Sequence, residues 1–132
     1  MFVNQLSVFI ENREGRLEKV LDILKQNNIN IISLSLADSS DFGLLRMIVS
    51  NPEEGKNALK EAGFSAMLTD ILVIKLDHVS GSLQGLVKIL SDNSVNVEYM
   101  YGLSIDGDNA TVVLKASDLT TAAKLLKDEG AI

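Results

Sequence analysis

Cysteine and tryptophan are absent from this chain, and it holds one proline and one histidine, His78. Without cysteine there is no disulfide framework, no thiolate zinc site and no cysteine nucleophile. A single histidine excludes a multi-histidine metal centre built from one chain, and no cofactor is expected. Basic residues are the minority: 12 Lys and Arg stand against 18 Asp and Glu, for a net charge of −6, and they form no run. That balance disfavours phosphate backbones, so no nucleic-acid partner is expected. Long apolar runs are missing too. The longest, about Ile71 to Leu76, is interrupted by Lys75 and is far too short to cross a bilayer. Near the N-terminus Asn4, Gln5 and Glu11 interrupt the apolar residues and no basic segment precedes them, unlike a signal peptide. The expectation is a cytoplasmic protein with no membrane partner. What is present is ordinary globular composition, 46% apolar over 132 residues. That suits one domain or two very small ones, burying roughly two-thirds of the unfolded surface.

The informative feature is an internal repeat. Gly15 and Gly81 lie 66 residues apart, and the same step relates Leu17 to Leu83, Leu24 to Leu90, Asn27 to Asn93 and Asn30 to Asn96. After one inserted residue the match resumes, with Ser50 and Ser117, Leu59 and Leu126, and Gly63 and Gly130. Leu17, Val20, Leu21 and Leu24 fall at i, i+3, i+4 and i+7, as do Leu83, Leu86, Val87 and Leu90. Each set is an apolar stripe on one helix face.

Each half reads as strand, helix, strand, strand, helix, strand. In the first, Leu6, Val8 and Ile10 alternate with Gln5, Ser7 and Phe9, and a helix ends near Asn27. Ile29 to Asp38 and Gly43 to Ser50 form a hairpin about the turn Asp38-Ser-Ser-Asp41. Asn51, Pro52 and Glu54 spell a helix start, and Gly63 its left-handed stop. Phe64 to Thr69 is read as one strand and Ile71 to Asp77 as the next. The second half repeats the scheme, with a hairpin turn at Asp106-Gly-Asp-Asn109 and a helix capped by Asp118. The expected domains are 1–69 and 70–132, the second with its final strand short or missing. The fold class is α+β: two tandem ferredoxin-like βαββαβ units, antiparallel sheets with helices on one face.

The segment with binding chemistry is the first strand–helix loop of each half. Gly15 and Gly81 start a helix, whose unpaired N–H groups and positive dipole end can hold a carboxylate. The bland alternative is that these glycines permit a tight turn and close helix packing. Asn30 and Asn96, at the second strands, offer donors and acceptors beside the first strand's end or across a pair interface, or simply close the helix. Glu11 and Asp77 can hold an ammonium. Arg46 reads as an edge-strand charge, or else a contact on an open sheet face; Met47, Met67 and Met100 read as core filler, and Tyr99 and Tyr101 as an interface, or else the lining of a pocket.

Glu11-Asn-Arg-Glu-Gly-Arg-Leu17, a helix, and then Asn28-Ile-Asn-Ile-Ile32 resemble the start of ACT domains, small regulatory modules that bind amino acids. Glu14 stands where that family often has Pro. Asp77-His-Val-Ser-Gly-Ser-Leu83 with Ser94-Val-Asn-Val97 follows the pattern less closely, with His78 in the place of Asn12. The resemblance spans almost the whole chain as two tandem ACT domains. It implies ligand contacts from Asn12 and Asn30, and from His78 and Asn96. It also implies a carboxylate held by the backbone around Arg13 to Arg16 and Val79 to Ser82. The implied candidate set is Glu11, Asn12, Arg13, Glu14, Gly15, Arg16 and Asn30 in the first half. In the second it is Asp77, His78, Val79, Gly81, Ser82 and Asn96. The implied function is a regulatory protein, not an enzyme, binding a free amino acid at an ACT–ACT interface. Glu11 and Asp77 lean toward histidine, lysine or another polar or cationic ligand; branched-chain and aromatic ligands stay open. A homodimer and a partner enzyme of amino-acid metabolism are expected. The competing class is an ACT-pair assembly scaffold without ligand; a small enzyme is the weakest alternative, since one histidine among scattered carboxylates makes no catalytic cluster.

Overall fold

In the computed structural model, residues 2–39 and 41–132 are described. Ser40, in the expected first hairpin turn, lies outside them. The elements run β1 (Val3–Glu11), α1 (Arg16–Gln26), β2 (Ile31–Ser39), β3 (Phe42–Val49), α2 (Pro52–Glu61), β4 (Ser65–Asp77), α3 (Ser82–Asp92), β5 (Val97–Asp106), β6 (Asn109–Ala116) and α4 (Leu119–Asp128). The chain divides into two compact units. One comprises Asn4–Thr69, the other Asp70–Ile132 together with the N-terminal end up to Val3. Strand order is β2-β3-β1 in the first and β4-β6-β5 in the second, with antiparallel pairings. These are the two ferredoxin-like units that the repeat predicts. One expectation changes: Phe64–Thr69 and Ile71–Asp77 are not two strands, because β4 runs unbroken for 13 residues.

Each unit buries one helix-covered sheet face. Leu6, Val8 and Ile10 of β1 pack with Val20, Ile23 and Leu24 of α1 and with Leu45 and Met47 of β3. The equivalent cluster in the second unit holds Leu72, Ile74, Leu90, Leu114 and Leu126. Alternation along the strands decides the rest. Met67 stands between inward-facing Ala66 and Leu68 and is 52% exposed, so it is not core filler. Arg46 is not on an edge: β3 lies between β1 and β2, with Arg46 opposite Ser7 and Ser35 on the face away from the helices. On that face Gln5 and Ser7 are buried, with Gln5 Nε2 donating to Ser7 Oγ at 3.0 Å. Tyr99 and Tyr101 share a face of β5, opposite Lys115 and Val113 of β6.

Helix ends follow local chemistry. At α2, Glu54 N–H donates to Asn51 Oδ1 at 3.3 Å, and Asn51 Nδ2 to Glu54 Oε2 at 2.9 Å. Asp118 caps α4 by accepting from Thr121 N at 3.0 Å and Thr121 Oγ1 at 2.6 Å, which lowers its pKa. The four described helices stop the same way. Ile29, Phe64, Val95 and Ala131, each buried, donate back to Leu24, Leu59, Leu90 and Leu126, and the residue before each is left-handed. This is the Schellman stop with its apolar contact. It places Gly63 and Gly130 as expected, but Asn28 (φ 55°) and Ser94 (φ 61°) hold the position without being glycine. Ser94→Gly is therefore expected to stabilise the protein by about 1 kcal/mol, seen as a rise of roughly 3–5 °C in a thermal melt.

No described strand follows α4. The last residues still join the sheet: Lys75 N–H donates to Ala131 O at 2.7 Å, and Ala131 is buried among the second core residues.

Candidate functional site

The two strand–helix loops share one hydrogen-bond pattern. In the first, Asn12 N donates to Asp41 O at 2.9 Å, Arg13 N to Glu11 O at 2.9 Å, Arg16 N to Arg13 O at 3.4 Å and Lys19 N to Gly15 O at 3.0 Å. In the second, His78 N donates to Asp108 O at 2.6 Å, Val79 N to Asp77 O at 2.9 Å, Ser82 N to Val79 O at 3.2 Å and Gly85 N to Gly81 O at 3.0 Å. Each loop is thus tied to the tip of the neighbouring hairpin. Gly15 (φ 85°) and Gly81 (φ 87°) are the left-handed residues from which α1 and α3 start. The first helical bonds begin at Lys19 and Gly85, which leaves the amides of Leu17, Glu18, Leu83 and Gln84 outside the ladder.

A cleft of about 330 Å³ opens beside the first loop, lined by Ile10, Glu11, Asn12, Arg13 and Leu17, and by Leu36, Asp38 and Gly43 of the β2–β3 hairpin. Arg13 Nε donates to Glu11 Oε2 at 2.7 Å. That bond and the cation's charge hold the Glu11 carboxyl below its ordinary range and raise the Arg13 guanidinium. Both side chains are exposed. Glu14, Gly15 and Arg16 do not line this cleft; the Arg16 guanidinium lies 4.5 Å from the centre of the Phe64 ring.

A second cleft, of about 580 Å³, occupies the equivalent place beside the other loop. Of the predicted residues it takes Asp77, His78, Val79 and Gly81; Ser82 lines a neighbouring groove with Gly85 and Gly130. Every residue of the first cleft has a structural counterpart here, because the strand registers superimpose the hairpins: Leu36 opposite Leu45 corresponds to Gly102 opposite Val112, and Asp38 opposite Gly43 to Ile105 opposite Ala110. The inserted residue of the second repeat is Leu103, in the register shift between Gly102 and Ser104.

Asn30 and Asn96 do not lie beside the first strands' ends. Each sits where its unit's second strand begins, tied to Ser50 and Ser117: Asn30 N donates to Ser50 Oγ at 2.9 Å and Asn96 N to Ser117 Oγ at 3.0 Å. Glu11 pairs with Phe42, eight residues along from Ser50, so Asn30 is roughly 25 Å from the loop of its own unit. The hairpin contribution to both clefts was not read from the sequence. Its one available signal was the break in the repeat at Leu36 and Gly102.

The family model for the ACT domain pair matches residues 1–129. The chain belongs to the ACT domain pair family. Protein BT0572 from Bacteroides thetaiotaomicron is 37% identical to this ACT pair, with a TM-score of 0.94, 99% of this chain and 90% of that one being covered. The ligand-free regulatory subunit of aspartate kinase from Thermus thermophilus is 17% identical, with a TM-score of 0.66 over 95% and 91%. Aspartate kinase from Clostridium acetobutylicum is 14% identical, with a TM-score of 0.57 over 96% of this chain and 33% of that one. With these two kinases the ACT pair shares the fold. No curated protein matches the chain. Among the described residues no cluster of His, Cys, Asp and Glu is placed to hold a metal, and no helix is long and apolar enough to cross a membrane.

Proposed function

We propose that this ACT pair is a regulatory protein that binds a free amino acid in a loop cleft and passes its occupancy to an enzyme of amino-acid metabolism. The observation that carries the reading is the duplicated cleft. In each unit a strand end bearing a carboxylate, Glu11 or Asp77, meets a helix start whose amides lie outside the ladder. A carboxylate ligand suits the helix start, and an ammonium suits the strand-end carboxylate. The ligand's preference for one arrangement of the protein would supply the coupling free energy for regulation. Catalysis has no part in this reading.

A thermal-shift screen against the twenty amino acids tests it. A ligand at 100-fold over its Kd adds about 2.7 kcal/mol, which for this chain is a rise of roughly 8–12 °C. A flat panel would sink the reading.

One observation favours the scaffold alternative, or a homodimer that also binds ligand. β2 is an outermost strand, and Ile32, Leu34 and Leu36 along it are about half exposed, with no lysine or proline to block pairing. A second ACT unit laid alongside is also what would bring an Asn30 or Asn96 to a loop cleft. Association that persists without amino acid, and is lost in Leu34→Lys, alongside a flat panel, would favour the scaffold.

A further inference from the structure

The two clefts are built from the same elements, with Leu103 inserted in the second, and they are opposites in chemistry. Three counterpart positions differ in kind. Arg13 of the first is Val79 in the second, Asp38 is Ile105, and Leu36 is Gly102. The first cleft therefore carries an ion pair at its mouth, a further carboxylate, and a leucine across its floor. The Leu36 side chain fills the space over Gly43: a Cβ built on Gly43 would lie 3.2 Å from Leu36 Cδ1 and 3.4 Å from Ile10 Cγ1. In the second unit Ala110 replaces Gly43, adding only a methyl, while Gly102 removes the whole leucine side chain. A Cβ built on Gly102 would meet nothing within 4 Å. That exchange and the register shift at Leu103 both set the second cleft apart from the first.

The second cleft also leaves apolar surface uncovered. Val79 is 65% exposed and Ile105 67%, and Leu83 beside them is exposed too. Apolar side chains gathered at one rim mark a surface that something covers. Its polar groups suit one end of a small ligand. Asp77 has no ion pair among the described residues, because its counterpart of Arg13 is Val79. The first turn of α3 has no acidic residue, whereas that of α1 has Glu18, so a carboxylate at α3 meets no like charge within the helix. Ser104 Oγ and Thr111 Oγ1 bond each other at 2.7 Å, which spends their polarity within the wall.

We infer that the second cleft is the ligand site, that it takes a free amino acid with a large apolar side chain, and that Gly102 sets the depth available to that side chain. This rests on the amino-acid-binding reading and narrows it to one unit and one ligand class. The ligand's ammonium faces Asp77, its carboxylate faces the amides of Leu83 and Gln84, and its side chain lies over Gly102 between Leu103 and Val112. The size of the cleft is ordinary for a small-molecule site.

Calorimetric titration of the full chain with L-leucine, L-phenylalanine, L-lysine and L-histidine tests it, repeated on Gly102→Ala and Gly102→Leu. The backbone at Gly102 is not left-handed and the space is open, so both variants are expected to melt with the parent. Leucine or phenylalanine should bind, lysine and histidine should not. Gly102→Leu, which copies the first unit, should weaken apolar binding by about 10–100-fold, with Gly102→Ala in between. Binding of lysine or histidine alone would leave the amino-acid reading standing and overturn this inference. Apolar binding unchanged in both variants would also overturn it, by placing the ligand elsewhere. No binding by any of the four, with a flat panel of twenty, would remove the reading itself.

Discussion

Leu6→Ala is expected to cost about 2–5 kcal/mol, lowering the melting temperature by roughly 8–20 °C. Leu6 has no exposed surface. It lies in the middle of β1, opposite Met47 of β3 in register, within the core that β1 shares with both helices of its unit. Removing its isopropyl group leaves a cavity among packed helices and strands, which is the situation where collapse is least able to fill the gap.

The same site holds a glycine whose role is packing. Gly55 is in the interior of α2, where glycine costs about 1 kcal/mol relative to alanine. A Cβ there would lie 3.0 Å from Leu6 Cδ2 and 3.5 Å from both Ile29 Cδ1 and Leu24 Cδ2. Gly55→Ala alone therefore sets a propensity gain of about 1 kcal/mol against about 1–3 kcal/mol of overpacking. In the Leu6→Ala background the nearest clashing methyl is gone. Gly55→Ala should then recover about 1–2 kcal/mol, so the two changes are non-additive, as expected for side chains in contact. Strictly additive melts in the double mutant would mean that α2 moves as a body and that Leu6 does not set its distance from β1.

How much of this was legible in the sequence depends on whether the cause is local. The Asn51 and Asp118 caps and the Gly63 stop are read within one or two turns of chain, and each stands as expected. Met67 was not legible: Ala66, Met67 and Leu68 are consecutive apolar residues, and which of them face the core is set by the strand's phase in the sheet. Nor was Arg46: whether a strand is central or at an edge is decided by strand order, which no stretch of eight residues carries. The clefts divide along the same line. Their loop side was found by the repeat. Their hairpin side is brought there by cross-strand register, and Gly102 acquires meaning only once it is superimposed on Leu36. The unbroken β4 has a related origin: the repeat boundary falls at Asp70, yet Ser65–Asp77 has little to punctuate it and runs on as one strand.

A structural need for glycine at Gly15 and Gly81 is either torsional or a close approach, and these predict different mutants. The positive φ angles are plain. Equally plain is that a Cβ at either position would meet nothing within 4 Å. The requirement is therefore torsional. Gly15→Val and Gly81→Val should each cost about 2–3 kcal/mol, because a β-branched residue is the one least suited to the left-handed region. The melting temperature should fall by roughly 6–12 °C. Asparagine has nearly the same bulk but tolerates that region, as Asn28 does in this chain at φ 55°. Gly15→Asn and Gly81→Asn should therefore melt within a few degrees of the parent. If space were the constraint, asparagine and valine would be equally harmful, and melts of the four variants side by side separate the two causes. Gly55 is the opposite case. There the backbone is helical and the space is closed, so the size of the substituent decides the cost; at Gly15 and Gly81 its torsional tolerance does.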